Sequence, residues 1–154
     1  MENLSLHILD IAENSIRAGA KNVRINIVED EDRNLVTVSI RDDGKGMDRV
    51  TVEKALDPFF TTKHGKKVGL GLALLAQASR EAEGKLSVEA AEGGGTRIIA
   101  TFKQSHPDMK PMGNMAETLA TLVAGYPGVR FVYDHRSGTE AYYFDSHKTG
   151  SERQ

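Results

Sequence analysis

The stretch from Arg41 to Met47 reads RDDGKGM and could hold the base of a nucleotide. Asp42 opens a D-x-G-x-G pattern in which its carboxylate can accept a hydrogen bond from the exocyclic amine of adenine. Gly44 and Gly46 would let the backbone approach that base, because neither residue carries a Cβ. An Asp-Gly pair beside a second glycine is also ordinary turn chemistry after a strand, and the motif alone favours a plain turn.

A second group of polar residues lies between Leu4 and Ala18. Asp10 and Asn14 are four residues apart, so they share one face of a predicted helix with Glu13 beside them. The amide oxygen of Asn14 suits Mg²⁺, which takes one or two protein ligands next to nucleotide phosphates. Asp10 could orient or deprotonate an attacking water as a general base. The alternative is a solvated helix face, which an isolated pattern of this kind favours.

The loop before the segment VGLGL is rich in lysine and could bind phosphate groups. The paired glycines of that segment lie at the start of a predicted helix, where free backbone N–H groups and the positive end of the dipole attract anions. The alternative is a solvated lysine-rich loop that binds no ligand. The residues predicted to contact the nucleotide here are Thr62, Lys63, Lys67, Gly69, Leu70, Gly71 and Leu72.

Thr96 follows the glycine-rich turn Gly93 to Gly95 and begins a predicted strand. Its hydroxyl could hydrogen-bond the adenine side of the site, although a β-branched residue suits a strand equally well. Apolar residues alternate on both sides of this turn, which predicts a β-hairpin.

Hydrophobic periodicity predicts the elements that would position these residues. A helix of period 3.6 is predicted to end at Gly19, and a second long helix at Gly84. Helices combined with antiparallel strands give an α+β fold, a two-layer α/β sandwich. The predicted helices span 4–18, 48–56 and 69–83, the predicted strands 23–27, 36–40, 86–90 and 98–102, and a loop covers 58–68.

The composition changes after Lys103, which divides the chain into a predicted domain over 1–104 and a C-terminal extension. Pro107 and Pro111 indicate a linker over 105–112. Asn114 with Glu117 three residues later predicts the start of a helix, and two alternating segments after it predict strands. Since a two-stranded hairpin is marginal alone, this αββ extension over 113–146 must pack on the domain or on another chain. The last residues, 147–154, are predicted to be a disordered tail.

Composition restricts the class of protein. With 154 residues, the chain can form one principal core. A net charge of -2 disfavours nucleic acid as the main ligand, and the lack of cysteine excludes disulfides and thiolate chemistry. There is no signal peptide pattern and no apolar run of membrane-spanning length, so a soluble cytoplasmic protein is expected.

Taken in order, DIAENSIRAGAK, RDDGKGM, DPFFTTKHGKK, VGLGLALL and GGGTRI resemble the motifs of the GHKL superfamily, which groups gyrase, the large heat-shock chaperone, histidine kinases and MutL. The resemblance covers residues 4 to 103 and implies the Bergerat fold, a mixed sheet layered on helices with ATP held under a short mobile lid. It also implies roles: magnesium for Asn14, adenine for Asp42, Gly44, Gly46 and Thr96, and phosphate for Gly69 and Gly71.

Within the superfamily, ENSIRAGAK looks most like MutL, whereas PFFTTK followed so soon by VGLGL looks like the short lid of a histidine kinase. Asp10 stands where hydrolytic relatives usually carry Glu and many histidine kinases carry Asn. Lys67 stands where kinases often have a glycine. No helical hairpin precedes Leu4 to present a phosphoacceptor histidine, so a complete histidine kinase is not expected.

The sequence therefore predicts a magnesium-dependent ATP-binding protein that acts as a stand-alone, kinase-like regulator on a partner protein, similar to anti-sigma kinases. The alternatives are an ATP-gated interaction switch without turnover and a slow ATPase like MutL. The carboxylate of Asp10 favours chemistry over a switch. A homodimer is also compatible with the sequence.

Overall fold

The structure is a computed structural model that describes residues 3–57, 70–91 and 93–147. The predicted loop over 58–68 lies outside these ranges, as does the predicted tail apart from His147. Four of the predicted nucleotide contacts lie outside them too, and their roles stay predictions. These four are Thr62, Lys63, Lys67 and Gly69.

The described residues form helices on one side of a single sheet. The helices are α1 (Leu4–Arg17), α2 (Arg49–Ala55), α3 (Leu70–Glu81) and α4 (Met115–Gly125). The strands are β1 (Asn22–Asp30), β2 (Leu35–Asp42), β3 (Leu86–Ala90), β4 (Thr96–Lys103), β5 (Arg130–Ser137) and β6 (Glu140–Asp145).

The sheet is mixed, with the strand order β3-β4-β2-β1-β5-β6. Strands β1 and β5 are parallel, and all other neighbouring pairs are antiparallel. Both hairpins predicted from residues 23–40 and 86–102 are present. The predicted α+β two-layer sandwich is confirmed.

The core lies between one face of the sheet and the apolar stripe of α1. Every second residue from Val23 to Ile27 of β1 and from Val36 to Asp42 of β2 is buried, because alternate side chains of a strand point to opposite faces. Leu4 and Ile8 of α1 are fully buried against these strands, together with Phe102 and Phe131. Packing on this one face fixes α1 above the end of β2, where the predicted site lies.

The C-terminal extension adds β5 and β6 to the same sheet. Strand β5 pairs with β1 from Asn22↔Arg130 to Glu29↔Ser137. The segment before α4 is also tied down, since the N–H of Leu4 donates to the carbonyl of Pro111 at 3.0 Å. The sequence left open whether the extension packs on the domain or on another chain, and in the structure it packs on the N-terminal elements. The predicted domain boundaries stay a prediction.

The end of α3 differs from the prediction. The helix stops at Glu81, and the residue in the left-handed conformation is Glu83, with φ of 60°, rather than Gly84. Gly84 is needed for another reason, because a Cβ there would lie 1.7 Å from the carbonyl oxygen of Thr101. The sequence predicts the end of the helix in the correct region. It does not indicate that Gly84 approaches β4 so closely that only glycine fits there.

Candidate nucleotide site

Asp42 is the best-defined polar group of the candidate site. It is the last residue of β2 and only 8% exposed. The hydroxyl of Ser15 donates to its Oδ2 at 2.6 Å, and the backbone N–H of Gly44 donates to its Oδ1 at 2.9 Å. A carboxylate has about four lone-pair sites, so Asp42 is held in place and can still accept a hydrogen bond from a ligand amine.

A cavity of about 100 Å³ opens beside Asp42. Asn14, Gly46 and Thr96 contribute to its lining, and the remaining walls are largely apolar. A flat aromatic base with one polar edge fits such a site, because apolar walls hold its faces while a few polar groups fix its orientation. The apolar lining residues are Ile11, Ala18, Met47, Ala55, Leu72 and Ile98.

The glycines around this cavity allow the backbone to fold tightly around Asp42. Gly46 has φ of +81°, and a Cβ on it would lie 3.1 Å from the carbonyl oxygen of Gly95. A Cβ on Gly44 would lie 3.0 Å from the carbonyl oxygen of Ala18. Gly95 is the tightest, since its Cβ would lie 2.0 Å from the carbonyl oxygen of Asp42. The sequence predicts Gly95 only as part of a hairpin turn and not as a residue that shapes this site.

Asp10 contacts the first described turn of α3. Its Oδ2 accepts a hydrogen bond from the backbone N–H of Gly71 at 2.7 Å. A Cβ on Gly71 would lie 2.8 Å from the Cβ of Asp10, so the glycine permits α1 and α3 to approach this closely. Asp10, the candidate base, therefore accepts from one of the backbone N–H groups that the sequence predicts to bind phosphate.

Asn14 lines the cavity one helical turn after Asp10. Its Oδ1 accepts a hydrogen bond from the guanidinium of Arg17 at 2.9 Å. An amide oxygen has two lone pairs, so this bond leaves one for a cation. The donor type fits Mg²⁺, and Arg17 is a neighbour that the sequence prediction did not include.

The structure brings together most of the described residues that the sequence singled out. Asn14, Asp42, Gly46, Leu72 and Thr96 line one cavity. Gly44 supports Asp42 through its N–H, and Asp10 meets Gly71 between the two helices. Leu70, the first residue of α3, is half-buried.

Ser15 is another site residue that sequence reasoning missed. It lies four residues after Ile11, on the apolar stripe of α1, and it is buried. A buried hydroxyl needs a partner, and here the partner is the carboxylate of Asp42. A serine inside an otherwise apolar stripe was the available signal.

Asp43, next to the site, joins the end of β2 to the start of β1. Its carboxylate accepts the backbone N–H groups of Lys21 at 2.8 Å and Asn22 at 2.9 Å, and also the side-chain amide of Asn22. Burial alone would raise the pKa of Asp43, but these hydrogen bonds outweigh it and hold the pKa below its ordinary value of 3.8.

We expect Asp43→Ala to lower the free energy of unfolding by about 1 kcal/mol at neutral pH, a small loss because the group is exposed. A lowered folded-state pKa stabilises the protein above the unfolded pKa of about 4, and this contribution disappears as pH falls through the folded value. Urea unfolding should therefore show wild type and variant converging in acid. Asp32→Ala, in the β1–β2 turn, is the control, and a gap that persists unchanged in acid would contradict the assignment.

Comparison with known proteins agrees with this fold. Residues 2–106 match the family described as histidine kinase-, DNA gyrase B-, and HSP90-like ATPase. The chain belongs to this family, the GHKL superfamily, and it carries an ATP-binding domain of the histidine kinase type.

Sensor kinases are among its relatives in sequence. The chain is 36% identical to the signal transduction histidine-protein kinase AtoS of Escherichia coli K12, over 74% of this chain and 17% of AtoS. It is 31% identical to the sensor histidine kinase ZraS of Escherichia coli O157:H7, over 73% of this chain and 24% of ZraS. The chain thus spans less than a quarter of the length of these relatives.

A solved structure shows the same fold. The MutL ATPase domain of Aquifex aeolicus, complexed with ADP, superposes with a TM-score of 0.50 at 18% identity, over 99% of this chain and 66% of that one. The superposition supports the Bergerat type of sandwich. Within the described ranges, every helix is too short or too polar to cross a bilayer.

Proposed function

We propose that this protein binds ATP together with Mg²⁺ and acts as a kinase-like regulator on a partner protein. The observation that carries the proposal is the buried carboxylate of Asp42, which Ser15 and Gly44 fix at the wall of an apolar cavity. Such a preorganised acceptor can distinguish an amine from a carbonyl on the edge of a base.

Each remaining residue has a proposed task. Thr96, directly opposite Asp42 in the β2–β4 pair, adds a hydroxyl to the adenine side. Asn14 is the magnesium ligand, and Asp10 is the group that takes a proton from the attacking nucleophile. The backbone N–H of Leu72, at the start of α3, holds a phosphate oxygen, and the N–H of Gly71 does so once Asp10 releases it.

A second candidate function is an ATP-gated switch that binds its partner without turnover. The hydrogen bond from the N–H of Gly71 to Asp10 favours it, because the carboxylate then serves to close α1 onto α3. A phosphate group arriving at this N–H would displace the carboxylate, and the contact between the two helices would change with the bound nucleotide.

Asp10→Asn separates the two functions. The amide oxygen of asparagine can still accept the N–H of Gly71, but asparagine cannot accept a proton. If Asp10 is the base, phosphate release from magnesium-ATP should fall at least about 100-fold while ATP affinity is retained. Release is measured on the purified protein in steady state, with affinity from a fluorescent nucleotide and a chelator arm to test magnesium dependence.

Glu31→Gln, in the exposed β1–β2 turn, is the matched control for loss of one carboxylate. Unchanged release by Asp10→Asn would remove Asp10 from the catalytic role. Tight ATP binding by the wild type with no release, and no transfer to protein, would favour the switch.

A further inference from the structure

The sheet face that points away from the helices carries a row of three arginines. Alternate residues of β1, β2 and β4 point to this face and are exposed or half-buried. In the strand register Arg24 lies opposite Arg41, and Arg41 lies opposite Arg97. All three residues are exposed. We call this set, Arg24, Arg41 and Arg97, the arginine row.

The arginine row is unfavourable for the fold by itself. Like charges directly opposite each other on neighbouring strands destabilise a sheet. Within 3–57, 70–91 and 93–147, neither Arg24 nor Arg97 forms an ion pair. The exposed guanidinium groups of Arg24 and Arg97 are therefore candidates for binding a ligand, since destabilising arrangements concentrate at functional surfaces.

A cavity of about 290 Å³ adjoins the row. Arg24, Arg41 and Arg130 line it together with Asp42 and Asp43, and the glycine turn at Gly93 and Gly94 contributes as well. The carboxylate of Asp43 is engaged by the backbone N–H groups of Lys21 and Asn22. The guanidinium of Arg130 is already paired with Asp145, whereas that of Arg24 is available. Guanidinium groups bind carboxylates through two parallel hydrogen bonds, so the cavity can accept an acidic side chain.

The length of the row limits the kind of anion that it can bind. Three neighbouring strands span only about 10 Å. Glu89 lies opposite Arg97 at one end, and beyond Arg24 the next strands carry Val132 and then Asp145. A nucleic acid is charged along its whole length and would run past the row onto Glu89 at one end and the uncharged Val132 at the other, whereas a short cluster of acidic side chains matches the row.

We propose that the arginine row is the docking surface for an acidic segment of a protein partner. The inference rests on the proposed function in one respect, because it states the chemistry of the partner on which the ATP-dependent activity would act. Arg41 and Arg97 are the chain neighbours of Asp42 and Thr96, which face the opposite side of the sheet. A segment docked on the row therefore lies directly behind the nucleotide cavity.

The test uses a fluorescein-labelled peptide of alternating Asp and Glu, whose binding to the full chain is followed by anisotropy at low ionic strength. Arg24→Glu with Arg97→Glu should weaken binding at least about tenfold, and added salt should weaken binding to the wild type. Arg33→Glu with Arg80→Glu changes the net charge equally on other surfaces and should bind as the wild type does. Fluorescent-nucleotide binding should be the same in all three proteins.

Arg24→Thr provides a second measurement that does not depend on charge reversal. Removing one member of the row should raise the melting temperature and weaken peptide binding together, because threonine suits an exposed strand and relieves the repulsion from Arg41. If Arg24 served only the fold, its replacement by threonine would lower the melting temperature of the protein.

Three results would overturn the inference: no binding of the acidic peptide by a wild type that binds ATP, equal binding by the row variant and its control, or tighter arginine-dependent binding of single-stranded oligo(dT) than of the peptide. A wild type that binds the peptide but not ATP would refute the proposed function and leave the docking surface standing.

Discussion

Asp42→Ala should lower the affinity for ATP by about 10- to 150-fold, since hydrogen bonds to a charged group contribute about 1.5–3 kcal/mol. The substitution removes the acceptor for the adenine amine. It also leaves the hydroxyl of Ser15 and the N–H of Gly44 without their present partner. Competition of ATP and GTP against a fluorescent nucleotide measures both the affinity and the preference for adenine.

Asp42→Asn keeps the shape of the side chain and replaces one acceptor oxygen with a donor. The preference for ATP over GTP should shrink, because the amide cannot accept from Ser15, Gly44 and an adenine amine at once. Asp32→Ala, in the β1–β2 turn, serves as the control for charge. If Asp42→Ala retained the wild-type ratio of ATP to GTP affinity, the cavity would not read the base through this residue.

Gly95→Ala should cost about 2–5 kcal/mol in the free energy of unfolding and remove nucleotide binding. Its φ is +94°, and an added Cβ would lie 2.0 Å from the carbonyl oxygen of Asp42. Strands β2 and β4 would have to separate at their last pair, which joins Asp42 to Thr96. Urea unfolding and fluorescent-nucleotide binding measure the two effects.

Gly93→Ala is the matched control within the same turn. Its φ is +85°, but nothing lies within 4 Å of the added Cβ. Only the backbone strain of a left-handed residue applies, about 1–2 kcal/mol, and nucleotide binding should survive. Equal losses of stability and binding in the two variants would show that the contact with Asp42 has no part in shaping the site.

The parts of the fold that depend on local periodicity were predictable. Helix α1 and the two hairpins each rest on contacts between residues close in sequence, so apolar spacing and turn glycines indicated them. The parallel pairing of β1 with β5 was not predictable in this way, since it joins residues as far apart in the chain as Asn22 and Arg130. The family match, which ends at residue 106, does not extend to that pairing.

In the candidate site, too, some features were predictable from the sequence and others were not. Asp10, Asn14 and Asp42 could be singled out because polar residues at those spacings need a reason, and the structure places the last two at one cavity. The hydrogen bonds of Asp42 and Asp10 could not be predicted. Ser15 lies at an apolar position of α1, and the bond from Gly71 to Asp10 joins two different helices. Their chemical roles rest on the proposals above.

The late position of β5 in the chain has a consequence for synthesis on the ribosome. Until β5 emerges, one edge of β1 has no hydrogen-bonding partner, and at about 5–20 residues per second this interval lasts roughly 5–20 s. An unpaired edge of an apolar strand is a template for pairing with another nascent chain. Slowing translation after β1 should therefore increase aggregation during expression, and supplying a general chaperone should relieve it.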